Sequence, residues 1–364
     1  MGKFKEIYKL GQLSMFKRQR DILREEHRLV DLFWECTLTC NAACKHCGSS
    51  AEKRNYEGEL TTEEIKNAFK QISEDMDASK ILINVTGGEP LVRKDLCDVM
   101  EYATSELGFH WGMTTNGLLL NEENLEKLKK ANMETVSVSI DGIGKVHDDF
   151  RGVPGAYERT TQNIKKMVES KYVKLTEVTT VFHKKNINQI EELYNVVLNL
   201  GVDRWRLIPM DPIGRAKEND ELLLSGEEYR KILDFIVSKK KSRLKLNYGC
   251  PGFLGTEYEG EVGRPFFYCR TGISVASILY NGDLYVCPNV PRIKRLIQGN
   301  IRKDNFKDVW ENKYKEFRDK ERTACDKCKK CAQWEFCLGG PFHTWNFKKN
   351  QPNVCTYNMI YGEE

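Results

Sequence analysis

The stretch VDLFWECTLTCNAACKHCGSS, residues 30–50, decides how the rest of the chain is read. Its first half reads as a β-strand, and the loop that follows carries Cys40, Cys44 and Cys47. Three is the telling number. A [4Fe–4S] cube has four irons, so three thiolates leave one iron open to another ligand, whereas structural zinc sites are usually closed by four. The spacing alone admits an open-iron cluster loop and a zinc loop.

Outward from this loop, strand-like and helix-like segments alternate. KILINV, HWGMTT, VSVSI, EVTTVF and RWRLIPM read as strands, and TTEEIKNAFKQI, DLCDVMEYA, EENLEKLKKA, residues 157–170, INQIEELYNVVLNL and residues 227–239 as helices. Six strand–helix units joined by short loops imply parallel strands with right-handed crossovers. A closed eightfold barrel is longer, so the expected fold is α/β: a partial (β/α)6 TIM-type barrel over residues 30–240, open on one side. The Lys-rich stretch SKKKSRLK marks a boundary, and residues 241–364 form a small cysteine-rich domain. There ISVASIL and DLYVC flank Asn281-Gly282, a type I′ hairpin signal, and a helix near 306–318 precedes a dense cysteine run. Residues 1–29 carry a basic amphipathic helix, read as a solvated cap on the barrel.

Composition narrows the function classes. The 364 residues are 40% hydrophobic and 30% charged, with a net charge of +4 and no concentrated Lys/Arg stripe, so a globular protein without a nucleic-acid partner is expected. No apolar run approaches the ~20 residues that span a bilayer, and no signal peptide precedes the first strand. A cytoplasmic setting follows, and there thirteen cysteines at short spacings point to metal rather than disulfides. Cys36 and Cys97 stand apart from ligand spacing and read as small buried hydrophobes.

Further chemistry gathers at the strand ends. Thr86-Gly87-Gly88-Glu89-Pro90 closes the second strand; its glycines let backbone approach a ligand, and its carboxylate can accept hydrogen bonds from an ammonium group. Thr115-Asn116-Gly117 closes the third strand, and Ser137, Ser139 and Asp141-Gly142 the fourth, followed by His147-Asp148 and Arg151-Gly152. With the three cysteines, these motifs resemble the radical S-adenosylmethionine (SAM) superfamily over nearly the whole chain. The resemblance implies a SAM-binding [4Fe–4S] cluster on Cys40, Cys44 and Cys47, with His46 in place of the usual aromatic, packing a flat ring near the cluster or nucleotide. It implies that Gly87, Gly88, Glu89 and Pro90 receive the methionyl amino group, with Thr115 and Asn116 beside them. Ser139 is then placed near the ribose or carboxylate, and Arg151 pairs with the SAM carboxylate. The chemistry implied is reductive cleavage of SAM to a 5′-deoxyadenosyl radical that abstracts hydrogen from substrate, with electrons from a donor such as flavodoxin or ferredoxin.

Cys269, Gly282 and Cys287, then Cys325, Cys328, Cys331, Cys337 and Cys355, resemble the SPASM domain, which carries auxiliary iron–sulfur clusters. The family pattern expects a further cysteine where Pro341 stands. Eight thiols fill two four-thiolate sites if Cys328, Cys331, Cys337 and Cys355 hold one cluster and Cys250, Cys269, Cys287 and Cys325 the other; one auxiliary cluster, or zinc at these positions, stays open. Within this branch the resemblance favours modification of a ribosomally made peptide or protein. Pro288, where sulfatase-maturing enzymes carry an acidic residue, argues against that reaction, and about thirty residues before the barrel leave no room for a separate leader-binding domain. Porphyrin side-chain decarboxylation or oxidation is the alternative, through the run Cys-Arg-x-Gly at 269–272. A non-catalytic iron–sulfur electron carrier or redox sensor is the third reading, and an electron carrier has no need of the GGEP, TNG and Arg151 elements.

Overall fold

Alternation of side chains along a strand puts successive residues on opposite faces of a sheet, and here the two faces have different tasks. The computed structural model describes residues 3–249 and 252–362. A long helix, α1 (Lys3–Glu26), precedes the sheet. Then follow β1 (Asp31–Glu35), α2 (Thr62–Asp75), β2 (Leu82–Thr86), α3 (Leu96–Ser105), β3 (His110–Thr115), α4 (Glu122–Lys130) and β4 (Thr135–Ser139). After them come α5 (Lys145–Arg151), α6 (Ala156–Ser170), β5 (Leu175–Phe182), α7 (Ile190–Leu200), β6 (Arg204–Pro209), α8 (Gly226–Ser238) and β7 (Lys245–Tyr248). Every strand and helix expected of the six units is present. The helices start where local chemistry dictates: Thr61 with Glu64, and Ser225 with Glu228, form capping boxes ahead of α2 and α8.

β1 to β7 are parallel and lie in sequence order, with Asp31 opposite Leu82 and Leu82 opposite His110. The outward face buries Trp34, Trp111, Val138 and Trp205 against the helices, and Trp34 meets Phe69 of α2 edge-on at 5.6 Å. The opposite face presents Ser139, Thr179, Val181, Arg206 and Ile208 to a central cavity.

Beyond residue 240 the same sheet continues. β8 (Val275–Ile278) pairs in parallel with β1, and β9 (Asp283–Tyr285) and β10 (Gly299–Asn300) add antiparallel strands outside it. The sheet is open, ending at β10 on one side and β7 on the other: a partial barrel. The hairpin forms where expected, but not with a type I′ turn. Only Gly282 has positive φ (+86°) at its tip, and its N–H donates to the carbonyl of Leu279 at 2.9 Å. A type I′ turn needs positive φ at both central residues, so the glycine here closes a longer loop. The helix expected near 306–318 is split into Phe306–Asn312 and Lys315–Arg318.

α1 departs further from expectation. It packs against the carboxy-terminal region, burying Lys9, Leu13, Arg20 and Arg24 along one face, instead of capping the barrel in solvent. Apolar periodicity counts Lys and Arg as solvent-facing, yet their aliphatic stems pack while their heads find carbonyls and carboxylates. The Lys9 ammonium donates to the carbonyl of Glu259 at 2.9 Å and to Glu261 at 2.6 Å.

Candidate active site

The loop after β1 is fastened by the barrel ends around it. Cys40 N–H donates to the carbonyl of Glu52, Ala43 N–H to that of Arg151 and Lys45 N–H to that of Phe150, at 2.9–3.0 Å. From the loop after β6, Arg215 donates through Nε to the Cys44 carbonyl at 2.9 Å and through Nη1 to the Ala51 carbonyl at 2.8 Å. Cys40 and Cys44 are buried and Cys47 half-buried in one small cluster with Ala42 and Ala51. Burial pushes the Cys40 thiol up to about 12 and raises Cys44 despite the Arg151 guanidinium. A metal held by these thiols would have to displace protons held here by desolvation. Among the described residues no three His, Cys, Asp or Glu side chains converge on the geometry of a single metal ion.

The glycines of the second motif line the cavity and also make room for the cysteine loop. A Cβ on Gly87 would meet the Thr37 carbonyl oxygen, and one on Gly88 that of Thr39, each at 2.2 Å. They are small because the cysteine loop lies against them: Gly88 N–H donates to Thr37 O at 2.7 Å and Glu89 N–H to Thr39 O at 3.0 Å. The Glu89 carboxylate is buried and already engaged, accepting from Thr115 Oγ1 at 2.7 Å, Asn116 N at 2.8 Å and Leu91 N at 3.3 Å. Burial raises its pKa, and these bonds oppose the rise. Pro90 opens the short turn that follows. Asn116 in turn donates to Asn41 in the cysteine loop at 2.7 Å. Glu89, Thr115 and Asn116 therefore tie the ends of β2 and β3 to that loop.

Arg151, expected to offer its fork to a carboxylate, is buried. Its Nη2 pairs with Asp141 at 2.6 Å, its Nη1 donates to Cys44 Sγ at 3.6 Å, and its Nε has no hydrogen-bond partner among the described residues. Burial works against its charge, but Asp141 and Cys44 outweigh that, so its pKa is raised. His46 stacks on Phe150 with centroids 4.5 Å apart and planes 10° off parallel, and His183 covers the other face of Phe150 at 3.9 Å. The His46 ring, expected near a cluster or nucleotide, lies flat on Phe150 at the edge of the cavity. Its partners Phe150 and His183, with Arg215, are the residues sequence reasoning missed, and Asp141, singled out at the end of the fourth strand, is the partner of Arg151. The signal for Arg215 was its place beside Gly214 just past the carboxyl end of β6, where a Cβ on Gly214 would meet the Cys47 carbonyl oxygen at 2.3 Å.

His46, Arg151, Arg215 and the strand-end residues line a cavity of about 1380 Å³, with Asp141, Phe150 and His183 behind them. Its floor holds Cys40, Cys44, Cys47, Gly87, Gly88, Glu89, Thr115, Asn116, Ser139 and Arg151, and its far wall is Lys9 and Phe16 of α1 with Phe266 and Tyr268.

The later cysteines fall into place unevenly. Cys328, Cys331, Cys337 and Cys355 lie within electrostatic reach of one another, and burial raises Cys337 and pushes Cys328 up to about 12. Cys269 and Cys287 flank the β8–β9 hairpin, and Cys250 lies outside the described residues. Cys325, expected with Cys250, Cys269 and Cys287, caps the helix Asp326–Lys330 and lies beside Cys328, whose N–H donates to its Sγ at 3.4 Å.

Comparison with known proteins agrees with this geometry. The radical SAM superfamily model matches residues 34–197, and the SPASM model, an iron–sulfur cluster-binding domain, matches residues 269–332. An AdoMet-dependent heme synthase of Methanosarcina barkeri is 31% identical over 84% of this chain and 89% of its own length. The mycofactocin maturase MftC of Mycolicibacterium smegmatis is 28% identical over 85% of this chain and 77% of its own. Among solved structures, native anSMEcpe with bound AdoMet and Cp18Cys peptide superposes with a TM-score of 0.70 at 18% identity, covering 92% of this chain and 94% of that one. Streptococcus suis SuiB bound to S-adenosylmethionine gives 0.67 at 20% identity, covering 86% and 73%; both likenesses are of fold. The chain belongs to the radical SAM superfamily: it is an enzyme with a [4Fe–4S] cluster, SAM and, through its SPASM domain, auxiliary iron–sulfur chemistry as its cofactors.

Proposed function

We propose that this enzyme modifies a ribosomally made peptide or protein. The observation that carries the reading is the maturase relative; the cavity of about 1380 Å³, which must also hold SAM, exceeds the ~300–1,000 Å³ of a site for one drug-sized ligand and leaves room for a substrate. A fold that holds a peptide in anSMEcpe and, as precursor SuiA, in SuiB supports the same reading.

In this proposal Cys40, Cys44 and Cys47 hold the SAM cluster, and the backbone at Gly87 and Gly88, with Ser139 and Arg151, lines the SAM site. Glu89, Thr115 and Asn116 keep that floor in register. His46 and Phe150 close its side. When bound, the cluster and SAM supply a hydrogen-abstracting 5′-deoxyadenosyl radical; the protein orients the substrate and excludes water. Cys328, Cys331, Cys337 and Cys355 hold one auxiliary cluster, and Cys250, Cys269, Cys287 and Cys325 hold a second. Residues 30–240 act as the barrel, 241–364 as the auxiliary-cluster domain and 1–29 as a wall between them. A flavodoxin- or ferredoxin-type donor and a cytoplasmic setting belong to the same proposal. Among the described residues no helix is long and apolar enough to cross a membrane.

A second reading has its own observation in the heme synthase relative; Lys9, Arg206, Arg264 and Arg270 line the cavity but are each paired with a carboxylate of this chain. Anaerobically reconstituted enzyme is given SAM, dithionite and either the peptide encoded beside its gene or a carboxylated porphyrin. A mass change in the peptide, matched by 5′-deoxyadenosine, is expected; turnover of the porphyrin alone would overturn the peptide reading.

A further inference from the structure

We propose that α1 is part of an auxiliary-cluster site: Arg20 and Arg24 reach from the amino-terminal helix toward the cluster held by Cys337 and raise its reduction potential. The inference rests on the assignment of Cys337 as a cluster ligand.

The charged face of an amphipathic helix ordinarily stays in water, and α1 buries it: Arg20 is 2% exposed and Arg24 9%. Arg20 donates to the carbonyls of Phe336 at 3.0 Å and Glu335 at 2.9 Å, in the short helix Trp334–Cys337. Arg322 donates to the carbonyl of Cys269 at 2.9 Å. The three guanidinium groups line one crevice together with Cys269 and Cys337. The Nε atoms of Arg20 and Arg24 are buried there without a hydrogen-bond partner among the described residues.

Charge within this group does not balance. Three guanidinium groups face Asp319 and Asp21, with the exposed Lys320 at the crevice mouth; Asp21 is shared between Arg24 at 3.0 Å, Lys320 at 2.9 Å and, at 4.0 Å, the Arg20 Nε, while the Glu335 carboxylate is taken up by Lys17 at 2.7 Å. Desolvating a surplus of cations costs several kcal/mol per ion unless an anion answers it. Four thiolates around a [4Fe–4S] cube make an anion in both oxidation states, and a more negative one when reduced. Buried cations beside it favour the reduced form, which raises the potential. The same helix walls the substrate cavity through Lys9 and Phe16, so the anchor of the cluster and the wall of the cavity are one element.

A purely structural role for Arg20, gripping the last carbonyls of a short helix, would not move a potential. The full chain carrying alanine at Cys40, Cys44 and Cys47, so that only auxiliary clusters titrate, is reconstituted anaerobically, its iron is counted, and it is followed by paramagnetic resonance during reductive titration. Relative to that parent, R20Q/R24Q is expected to move one auxiliary midpoint to more negative potential, and R20K/R24K to restore most of the shift. Unchanged midpoints at unchanged iron content would overturn the proposal, as would a shift that lysine does not reverse. Where R20Q/R24Q loads less iron, R24Q alone is read by the same criteria. A C337A chain that keeps all its auxiliary iron would fault the ligand assignment instead.

Discussion

Replacing Gly88 by alanine tests the argument that the SAM motif and the cysteine loop are built as one unit. A Cβ at this position would lie 2.2 Å from Thr39 O, and ordinary contact begins at 3.4 Å, so the two backbones must part by about 1.2 Å. That movement takes Gly88 N···Thr37 O from 2.7 Å to about 3.9 Å and Glu89 N···Thr39 O from 3.0 Å to about 4.2 Å, breaking both bonds. Two buried backbone groups left unpaired cost ~1–3 kcal/mol each, or ~2–6 kcal/mol in all. Thr39 adjoins Cys40, so the strain falls on the cluster loop. G88A is expected to load about four fewer irons per chain than wild type and to lose SAM binding by calorimetry. The control is G48A in the same loop, where a Cβ would meet only Ile213 at 3.8 Å and loading should stay unchanged. Wild-type iron and SAM affinity in G88A would refute the reasoning.

Arg215→Ala removes two charge-assisted bonds that fasten the Cys44 and Ala51 carbonyls, a loss of ~3–6 kcal/mol at ~1.5–3 each, and iron should leave the SAM cluster faster under chelator challenge. R215K should rescue little of this, because an ammonium lacks the fork. Burial holds His147 down to about 3 and His183 to about 4, aided by Arg151 and by Lys185 respectively. Their folded values lie below the unfolded ~6.5, so the unfolded chain takes up protons first as pH falls, and stability is lost from about pH 6.5 down to about 3–4. At pH 5.5 the loss should reach ~1.4 kcal/mol per histidine, read as a lower denaturant midpoint than at pH 7.5. Gly11 sits on the exposed face of α1, where an added Cβ would meet nothing within 4 Å, so G11A should stabilise that helix by ~0.8–1 kcal/mol, seen as slower amide exchange in α1.

The six strand–helix units were legible because amphipathic periodicity and capping boxes are local signals, as at Thr61 and Ser225. The parallel pairing of β8 with β1 was not, since it joins Asp31 to Val275 across most of the chain, and no local pattern records such a partner. The site divides along the same line. Spacing singled out Cys40, Cys44 and Cys47, and the resemblance singled out Glu89 and Asn116 at strand ends and Arg151 on α5, near where active residues of barrels collect. What those side chains touch was hidden. Glu89 faces Thr115 and Asn116, Arg151 faces Asp141, and the two glycines make room for Thr37 and Thr39. The buried arginines of α1 were hidden for another reason: a pattern that sorts residues into apolar and charged assigns Arg20 to water.

The central claim is that Cys40, Cys44 and Cys47 form an open-iron site that works on SAM. The direct measurement is 5′-deoxyadenosine formed from SAM and dithionite by anaerobically reconstituted enzyme, beside a C44A chain with its auxiliary iron intact. The account predicts 5′-deoxyadenosine from the wild type and none from C44A; a fully loaded wild-type enzyme that forms none, or a C44A chain that forms as much, would contradict it.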